Sequence, residues 1–125
     1  MVMTGKILIV DDQKGVRRLL EELFKKEGWE VNMAMDGKDA IEKVEEKQPD
    51  IILMDVKMPN MNGLEASQVI LEKHGNIPII MMTAYGEIEV VKKALDAGVK
   101  KCITKPFDIM VLRDMVNSIF NEQTA

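Results

Sequence analysis

The run Lys6-Ile7-Leu8-Ile9-Val10 leads directly into two carboxylates, Asp11 and Asp12. A short β-branched run of this kind is typical of a strand buried on both faces, and the acidic pair predicts a polar loop at its carboxyl end. Residues 51–54, Ile-Ile-Leu-Met, repeat the arrangement and lead into Asp55. Because strands buried on both faces occur mainly in parallel sheets with helices on each side, these two runs favour an α/β fold.

Helical and strand patterns alternate along the rest of the chain. Apolar residues from Val16 to Phe24 recur at spacings of three and four, which predicts a first helix that Gly28 terminates. Further strands are predicted over residues 30–35, 77–82 and 100–104, and further helices around residues 40–44, 64–74, 87–97 and 112–120. Five strands alternating with five helices over short loops imply right-handed crossovers and a parallel sheet covered by helices on both faces.

Length and composition fit one ordinary globular domain. The chain has 125 residues, of which 46% are hydrophobic and 30% charged, and no linker interrupts the pattern. We therefore expect a single domain over residues 1–125 with no output domain, and a monomer. The formal net charge of -4 disfavours direct binding to nucleic acid, which calls for a basic surface. The apolar run near the amino end is too short for a signal peptide or membrane span, so we expect no membrane association and a cytoplasmic location.

Polar side chains follow four of the predicted strands at their carboxyl ends. Asp11 and Asp12 follow the first strand, and Asp55 follows the third. Thr83 follows the fourth strand and Lys105 the fifth. Because ligands of open parallel sheets bind outside the carboxyl ends of the strands, these five side chains should meet in one crevice. Taken singly they have ordinary explanations, namely a helix N-cap, a strand-end threonine and a loop lysine, but those explanations do not account for the set.

This set of side chains favours magnesium-assisted chemistry on a phosphoryl group. Three carboxylates in one crevice repel each other unless a hard divalent cation binds between them, and an all-oxygen site suits magnesium. With the cation and the Lys105 ammonium neutralising charge, a phosphoryl group can approach Asp55, the best candidate nucleophile. The Thr83 hydroxyl is then available to donate a hydrogen bond to a phosphoryl oxygen.

Over essentially its whole length the chain resembles the receiver domains of two-component response regulators. The matching motifs are Ile-Leu-Ile-Val-Asp11-Asp12, Asp55-Val-Lys-Met-Pro59-Asn-Met-Asn-Gly63, Met-Thr83-Ala84 and Lys105-Pro106-Phe107. The resemblance implies a flavodoxin-like receiver fold with strand order 2-1-3-4-5 and a phosphoacceptor role for Asp55. It implies magnesium ligation by Asp12 and Asp55, with Asp11 acting through water and the Lys57 backbone carbonyl as a further ligand. It also implies that Thr83 is a switch residue, that Lys105 pairs with the phosphate, and that the Lys105–Pro106 bond is cis.

Within that family, the chain is most similar to the single-domain regulators of sporulation relays in endospore-forming bacteria. The residues that carry this likeness are Asp-Asp-Gln13 with Gly15, Thr83-Ala-Tyr85-Gly86-Glu87 and Lys105-Pro-Phe107-Asp108. The likeness implies that phosphate passes from a sensor histidine kinase to Asp55 and then to a histidine phosphotransferase. The protein would then not be an enzyme, but a phosphoacceptor that assists its own phosphoryl transfer and slow dephosphorylation.

Apolar residues flank the predicted pocket. We expect Val16 and Leu19, with Pro106 and Phe107, to offer a patch to a helical partner beside the phosphoryl group, next to Gln13 and Gly15. The alternative is that Leu19 and Phe107 belong to the core.

Two further residues are expected to overhang the pocket and prolong the lifetime of the phosphoryl group. A protonated Lys57 has no acceptor with which to orient an attacking water, and Tyr85 would add bulk at the entrance. The alternative is that Lys57 is an exposed loop lysine that contributes only its carbonyl.

Cys102 is a departure from the family pattern. Many receivers carry an aromatic residue three positions before the conserved lysine, and its inward rotation reports phosphorylation. A cysteine cannot make that movement, which argues against signalling through the face formed by the fourth helix, the fifth strand and the fifth helix. A redox-sensing role would need thiolate character and exposure, so we favour a small apolar strand residue.

Three other functions are alternatives to a phosphate relay. A phosphohydrolase of the haloacid dehalogenase type needs an aspartate two residues after the nucleophile, where this chain has Lys57. A flavin carrier needs a loop rich in small hydroxyl residues after the first strand, where this chain has Asp11 and Asp12. The third, a receiver that binds a target protein only when phosphorylated, as in chemotaxis, stays open.

Overall fold

The structure, a computed structural model, describes residues 5–124. Its strands are β1 (Lys6–Val10), β2 (Glu30–Ala34), β3 (Ile51–Asp55), β4 (Ile79–Ala84) and β5 (Lys101–Lys105). Its helices are α1 (Lys14–Lys26), α2 (Gly37–Glu46), α3 (Gly63–Lys73), α4 (Ile88–Ala97) and α5 (Ile109–Thr124). Strands and helices alternate throughout this part of the chain, as the sequence pattern predicts.

All five strands pair in parallel, in the order β2-β1-β3-β4-β5. This confirms the predicted receiver fold. The strand order reverses between β1 and β3, which are neighbours in the sheet, with Val10 paired to Met54. The residues that follow these two strands therefore lie side by side at the switch point, where open α/β sheets bind their ligands.

Alternating side chains of each strand build two apolar layers, one on each face of the sheet. Leu8 and Val10 belong to the layer covered by α2, α3 and α4, whereas Ile7 and Ile9 belong to the layer covered by α1 and α5. Successive strand side chains point to opposite faces, so a strand needs apolar residues at every position when both faces are covered. This explains the uninterrupted apolar runs in the sequence.

Both ends of β4 and the end of β5 differ from the predicted boundaries. The fourth strand begins at Ile79 rather than at residue 77, because Pro78 has no amide hydrogen to donate to the sheet. Pairing of Thr83 with Thr104 and of Ala84 with Lys105 carries both strands further than the sequence pattern indicates. Thr83 and Lys105 are therefore held by the sheet itself rather than by loops.

Within residues 5–124, no helix is both long and apolar enough to cross a membrane.

Candidate functional site

Three carboxylates meet at the switch point. Oxygen atoms of Asp11, Asp12 and Asp55 all lie within 4.8 Å of one another. Asp11 is fully buried, Asp55 is 7% exposed, and Asp12 faces solvent. The donor set consists only of oxygen atoms and carries excess negative charge, which fits a hard divalent cation such as magnesium.

Lys105 extends from the end of β5 into the same crevice. Its Nζ lies 2.8 Å from Oδ2 of Asp11 and 3.3 Å from Oδ1 of Asp55. Burial lowers the pKa of Lys105, but the hydrogen bond to Asp11 and the charges of Asp55 and Asp11 outweigh burial and raise it. The ammonium group therefore stays charged at neutral pH. The peptide bond between Lys105 and Pro106 is cis, as the family resemblance implies.

Asp55 is held in an environment that disfavours its ionised form. Burial, followed by the negative charge of Asp11, raises the pKa of Asp55 from 3.8 to about 6, although Lys105 opposes the shift. Oδ1 of Asp55 accepts a hydrogen bond from the following amide, Val56 N, at 3.0 Å. A cation between the carboxylates would remove the repulsion that contributes to this shift.

The loop between β1 and α1 is fixed through its backbone. Oδ1 of Asp11 accepts a hydrogen bond from Gln13 N at 2.9 Å, and the Arg17 guanidinium donates to the Asp11 carbonyl at 2.6 Å. The sequence gives no signal for this use of Arg17, because any exposed helix position can carry an arginine. The contact ties the first helix to the acidic loop.

The loop between β3 and α3 is anchored at its far end by Gly63. Its amide donates to the Val56 carbonyl at 2.8 Å, and a Cβ atom at this position would overlap the Asp55 carbonyl. Only glycine allows so close an approach. Lys57, in the same loop, is exposed and lines a cavity of about 290 Å³ together with Asp12, Asp55 and Lys105.

Thr83 and Tyr85 do not line the cavity around Asp55. Thr83 is buried, and its hydroxyl donates to the Ile103 carbonyl at 3.4 Å, so it does not line the cavity around Asp55. Tyr85 is 93% exposed and lines a neighbouring groove beside α4. This placement does not support the expectation that Tyr85 covers the entrance. Glu87 lines the cavity instead and accepts a hydrogen bond from Ala84 N at 2.6 Å, a role that the sequence analysis missed.

The family described as response regulator receiver domain matches residues 7–117. The chain belongs to this receiver domain family. The sporulation initiation phosphotransferase F of Bacillus subtilis (strain 168) is 43% identical over 92% of this chain and 93% of that protein. The chemotaxis protein CheY of Thermotoga maritima is 38% identical over 94% of this chain and 98% of that protein.

Solved structures agree with this membership. A CheY-like receiver domain protein from Methanospirillum hungatei JF-1 superposes with a TM-score of 0.93 at 28% identity, covering 98% of both chains. Other matched proteins are longer. This chain covers only 27% of the length of the regulatory protein AtoC of Escherichia coli (strain K12). Receiver domains are generally phosphoacceptors rather than enzymes, and they typically use a divalent metal at an aspartate cluster.

Most of the expected partner patch lines a single groove beside the acidic crevice. The groove has a volume of about 380 Å³ and is lined by Gln13, Val16, Leu19, Leu20, Lys105, Pro106, Phe107 and Ile109. Leu19 is 48% exposed and Phe107 is half-buried, so neither is wholly committed to the core. Gly15 is exposed, but it does not line the groove.

Cys102 packs as a partly buried side chain against the apolar layer beneath α2, α3 and α4. Burial raises the pKa of its thiol, so little thiolate forms at neutral pH. These observations support the apolar structural role over redox sensing.

Proposed function

We propose that this receiver is the middle carrier of a phosphorelay, accepting a phosphoryl group on Asp55 from a sensor histidine kinase and passing it to a histidine phosphotransferase. The sporulation relay is the pathway we infer, because the Bacillus subtilis sporulation phosphotransferase matches nearly the whole chain. We further propose that the protein is a cytoplasmic monomer that uses magnesium and binds no nucleic acid.

One observation carries the chemical part of this proposal. Asp55 shares its crevice with two other carboxylates and with the Lys105 ammonium, so nucleophile, cation ligands and positive counter-charge lie together. A purely structural ion pair would need one carboxylate for Lys105, whereas this site has three. The excess of negative charge is costly unless it serves to bind a cation.

The side chains of the crevice suit phosphoryl transfer both onto Asp55 and away from it. A carboxylate oxygen of Asp55 attacks the phosphorus of a phosphohistidine, and a new P–O bond replaces the P–N bond. The electron pair of the broken bond stays on the imidazole, which leaves as a neutral ring because its other nitrogen is protonated. Lys105 is close enough to Asp55 to pair with a phosphoryl oxygen. We propose that the Thr83 hydroxyl, which does not line the cavity in this structure, leaves the Ile103 carbonyl to pair with another.

Magnesium, when bound, supplies positive charge to the carboxylates and to the phosphoryl oxygens. We propose that Asp12, Asp55 and the Lys57 backbone carbonyl would hold it directly and that Asp11 would act through water. Onward transfer to a second histidine reverses the same bond exchange. The groove beside the crevice would then receive a helix of each histidine-bearing partner.

A second candidate is a phosphorylation-gated effector that binds a target protein. It is favoured by the 38% identity to the Thermotoga maritima chemotaxis protein CheY over nearly its full length. In an effector the phosphoryl group stays on Asp55 while the target binds, whereas in a relay carrier it leaves.

The deciding experiment measures whether a radiolabelled phosphoryl group on Asp55 is transferred to a partner protein. Asp55 is phosphorylated with a radiolabelled small donor in magnesium, freed of donor, and mixed with the histidine phosphotransferases of the source organism. Transfer of label to one of them within minutes supports the relay. Stable label on this chain together with formation of a complex would instead establish the effector, and no label on Asp55 at all would exclude both.

A further inference from the structure

The loop between β3 and α3 has a second anchor, in the turn between β2 and α2. The loop carries Lys57, whose carbonyl is the proposed metal ligand, and Gly63 fixes only its far end. Between these positions Met61 N donates to the Pro59 carbonyl at 2.7 Å, which closes a local turn but does not tie the loop to the body of the protein. Met58 and Met61 pack against the apolar layer beneath α2, α3 and α4, and the polar tie comes from Asp36 together with Gly37.

Asp36 uses both carboxylate oxygens in this contact. Oδ1 accepts from Asp39 N at 2.8 Å and so caps α2, while Oδ2 accepts from the Asn60 side-chain amide at 2.7 Å. Asp36 is only 8% exposed. Hydrogen bonds to an ionised carboxylate are about twice as strong as those between neutral groups. The bond thus joins residues 24 positions apart across two loops.

The backbone geometry of both loops is shaped around this contact. Asn60 has a φ of 68°, in the left-handed region that asparagine tolerates better than most residues. Beside it, Gly37 N donates to the Met61 carbonyl at 3.1 Å, and a Cβ atom on Gly37 would lie 2.5 Å from that oxygen. The turn and the loop therefore meet at two adjacent points, and a glycine is needed for them to do so.

We propose that the hydrogen bond between Asp36 and Asn60 positions the metal-binding loop, and that these two are positioning residues for the cation. The proposal rests on the proposed function, since it presupposes that the crevice binds magnesium. Magnesium demands near-octahedral geometry at short distances, so a ligand carbonyl in a loose loop binds it poorly. Residues that orient metal ligands typically affect metal affinity by about 10–100-fold. Asn60 positions a backbone carbonyl rather than a side-chain ligand, so we expect its loss to weaken magnesium affinity by a smaller factor, about 3–10-fold.

Four variants isolate the contact. Asn60→Gly removes the amide while keeping a residue that adopts positive φ freely. Asn60→Asp places a second carboxylate against Asp36. Asp36→Asn alone keeps an acceptor for α2 and controls for the loss of one negative charge. The double variant Asp36→Asn/Asn60→Asp restores an amide–carboxylate pair with the two roles exchanged.

The measurements are magnesium affinity by isothermal titration calorimetry at pH 7.5 and amide hydrogen exchange of Gly37 in metal-free protein. We expect Asn60→Gly to weaken affinity about 3–10-fold and to speed exchange, Asn60→Asp to do both more strongly, and the double variant to return within about 2-fold of wild type. Magnesium binding by wild type with unchanged affinity in Asn60→Gly and Asn60→Asp would overturn this inference alone. Absence of saturable magnesium binding by wild type would overturn the proposed function and the inference with it.

Discussion

Replacing Asp55 by asparagine should stabilise the metal-free protein at neutral pH. The raised pKa of Asp55, about 6 against 3.8, means that the folded state holds its proton more tightly than the unfolded chain. Stability from this group is therefore full below pH 4 and is lost as pH rises through about 6. At about 1.4 kcal/mol per pKa unit the shift corresponds to about 3 kcal/mol, and the opening of the crevice to solvent and salt reduces this to about 1–2 kcal/mol.

Urea unfolding followed by Trp29 fluorescence gives the required free energies. Trp29 is buried between Phe24 and Phe120 and precedes β2, at the opposite edge of the sheet from the carboxylates. It therefore reports unfolding rather than metal binding. The gain from Asp55→Asn should be small at pH 4.5, where the wild-type carboxyl is mostly protonated, and should reach its maximum above pH 7.

Magnesium should reduce the stability difference between Asp55→Asn and wild type. A cation that binds only the folded state stabilises it more when it binds more tightly. Wild type has three carboxylates for the cation, and the variant has two. Asp96→Asn, which neutralises an exposed aspartate in α4, serves as the control for the loss of one negative charge. If Asp55→Asn leaves stability unchanged at pH 7.5 in a chelator, or stabilises equally at pH 4.5, burial and the charge of Asp11 do not penalise ionised Asp55 as inferred.

Three further predictions follow from the same structure. Lys57→Asn should speed loss of phosphate from the phosphoacceptor, because an amide can orient a hydrolytic water, while Lys57→Arg should not; equal decay in a pulse-chase would remove the shielding role. Ser67→Ala should leave stability unchanged or raise it by up to about 1 kcal/mol in urea unfolding, because Ser67 Oγ is buried without a hydrogen-bond partner; a clear loss would show that the hydroxyl has one. Val16→Ala and Phe107→Ala should slow phosphate exchange with protein partners but not labelling by a small donor, and wild-type exchange rates would show that the groove is not the docking surface.

The alternation of strands and helices could be predicted because each pattern follows from burial. A strand covered on both faces must be apolar at every position, as in residues 51–54, and a helix covered on one side shows spacings of three and four. The end of β4 could not be predicted in the same way. Thr83 and Ala84 stay in the strand because Thr104 and Lys105 pair with them, and those partners lie 21 residues further along the chain.

Asp11, Asp12, Asp55 and Lys105 meet in one crevice, whereas the buried Thr83 does not line its cavity. The sequence predicted that all five would meet, because each follows a strand and parallel strands end at one edge. It gave no sign of the contacts that hold the crevice in shape. The Arg17 guanidinium reaches a backbone carbonyl, and the Asp36 carboxylate reaches an amide in a distant loop. The Asp36 contact depends on how loops from different strands pack together, and the Arg17 contact depends on the path by which the loop after β1 enters α1. Neither therefore has a sequence pattern of its own.

The hydrogen bonds of Asp11 bear on which of the three carboxylates would ligate a cation directly and which would act through water. Its Oδ1 accepts from Gln13 N and its Oδ2 from Lys105, so both oxygens are already satisfied in a fully buried position. Direct ligation by Asp11 would bring the cation close to the Lys105 ammonium, which lies 2.8 Å from Oδ2, and the two positive charges would repel each other. Asp12 is exposed and has no such commitment, and Asp55 meets Lys105 at the longer distance of 3.3 Å. These contacts support the proposal that Asp12 and Asp55 would ligate the cation directly and that Asp11 would act through water while it keeps Lys105 beside Asp55.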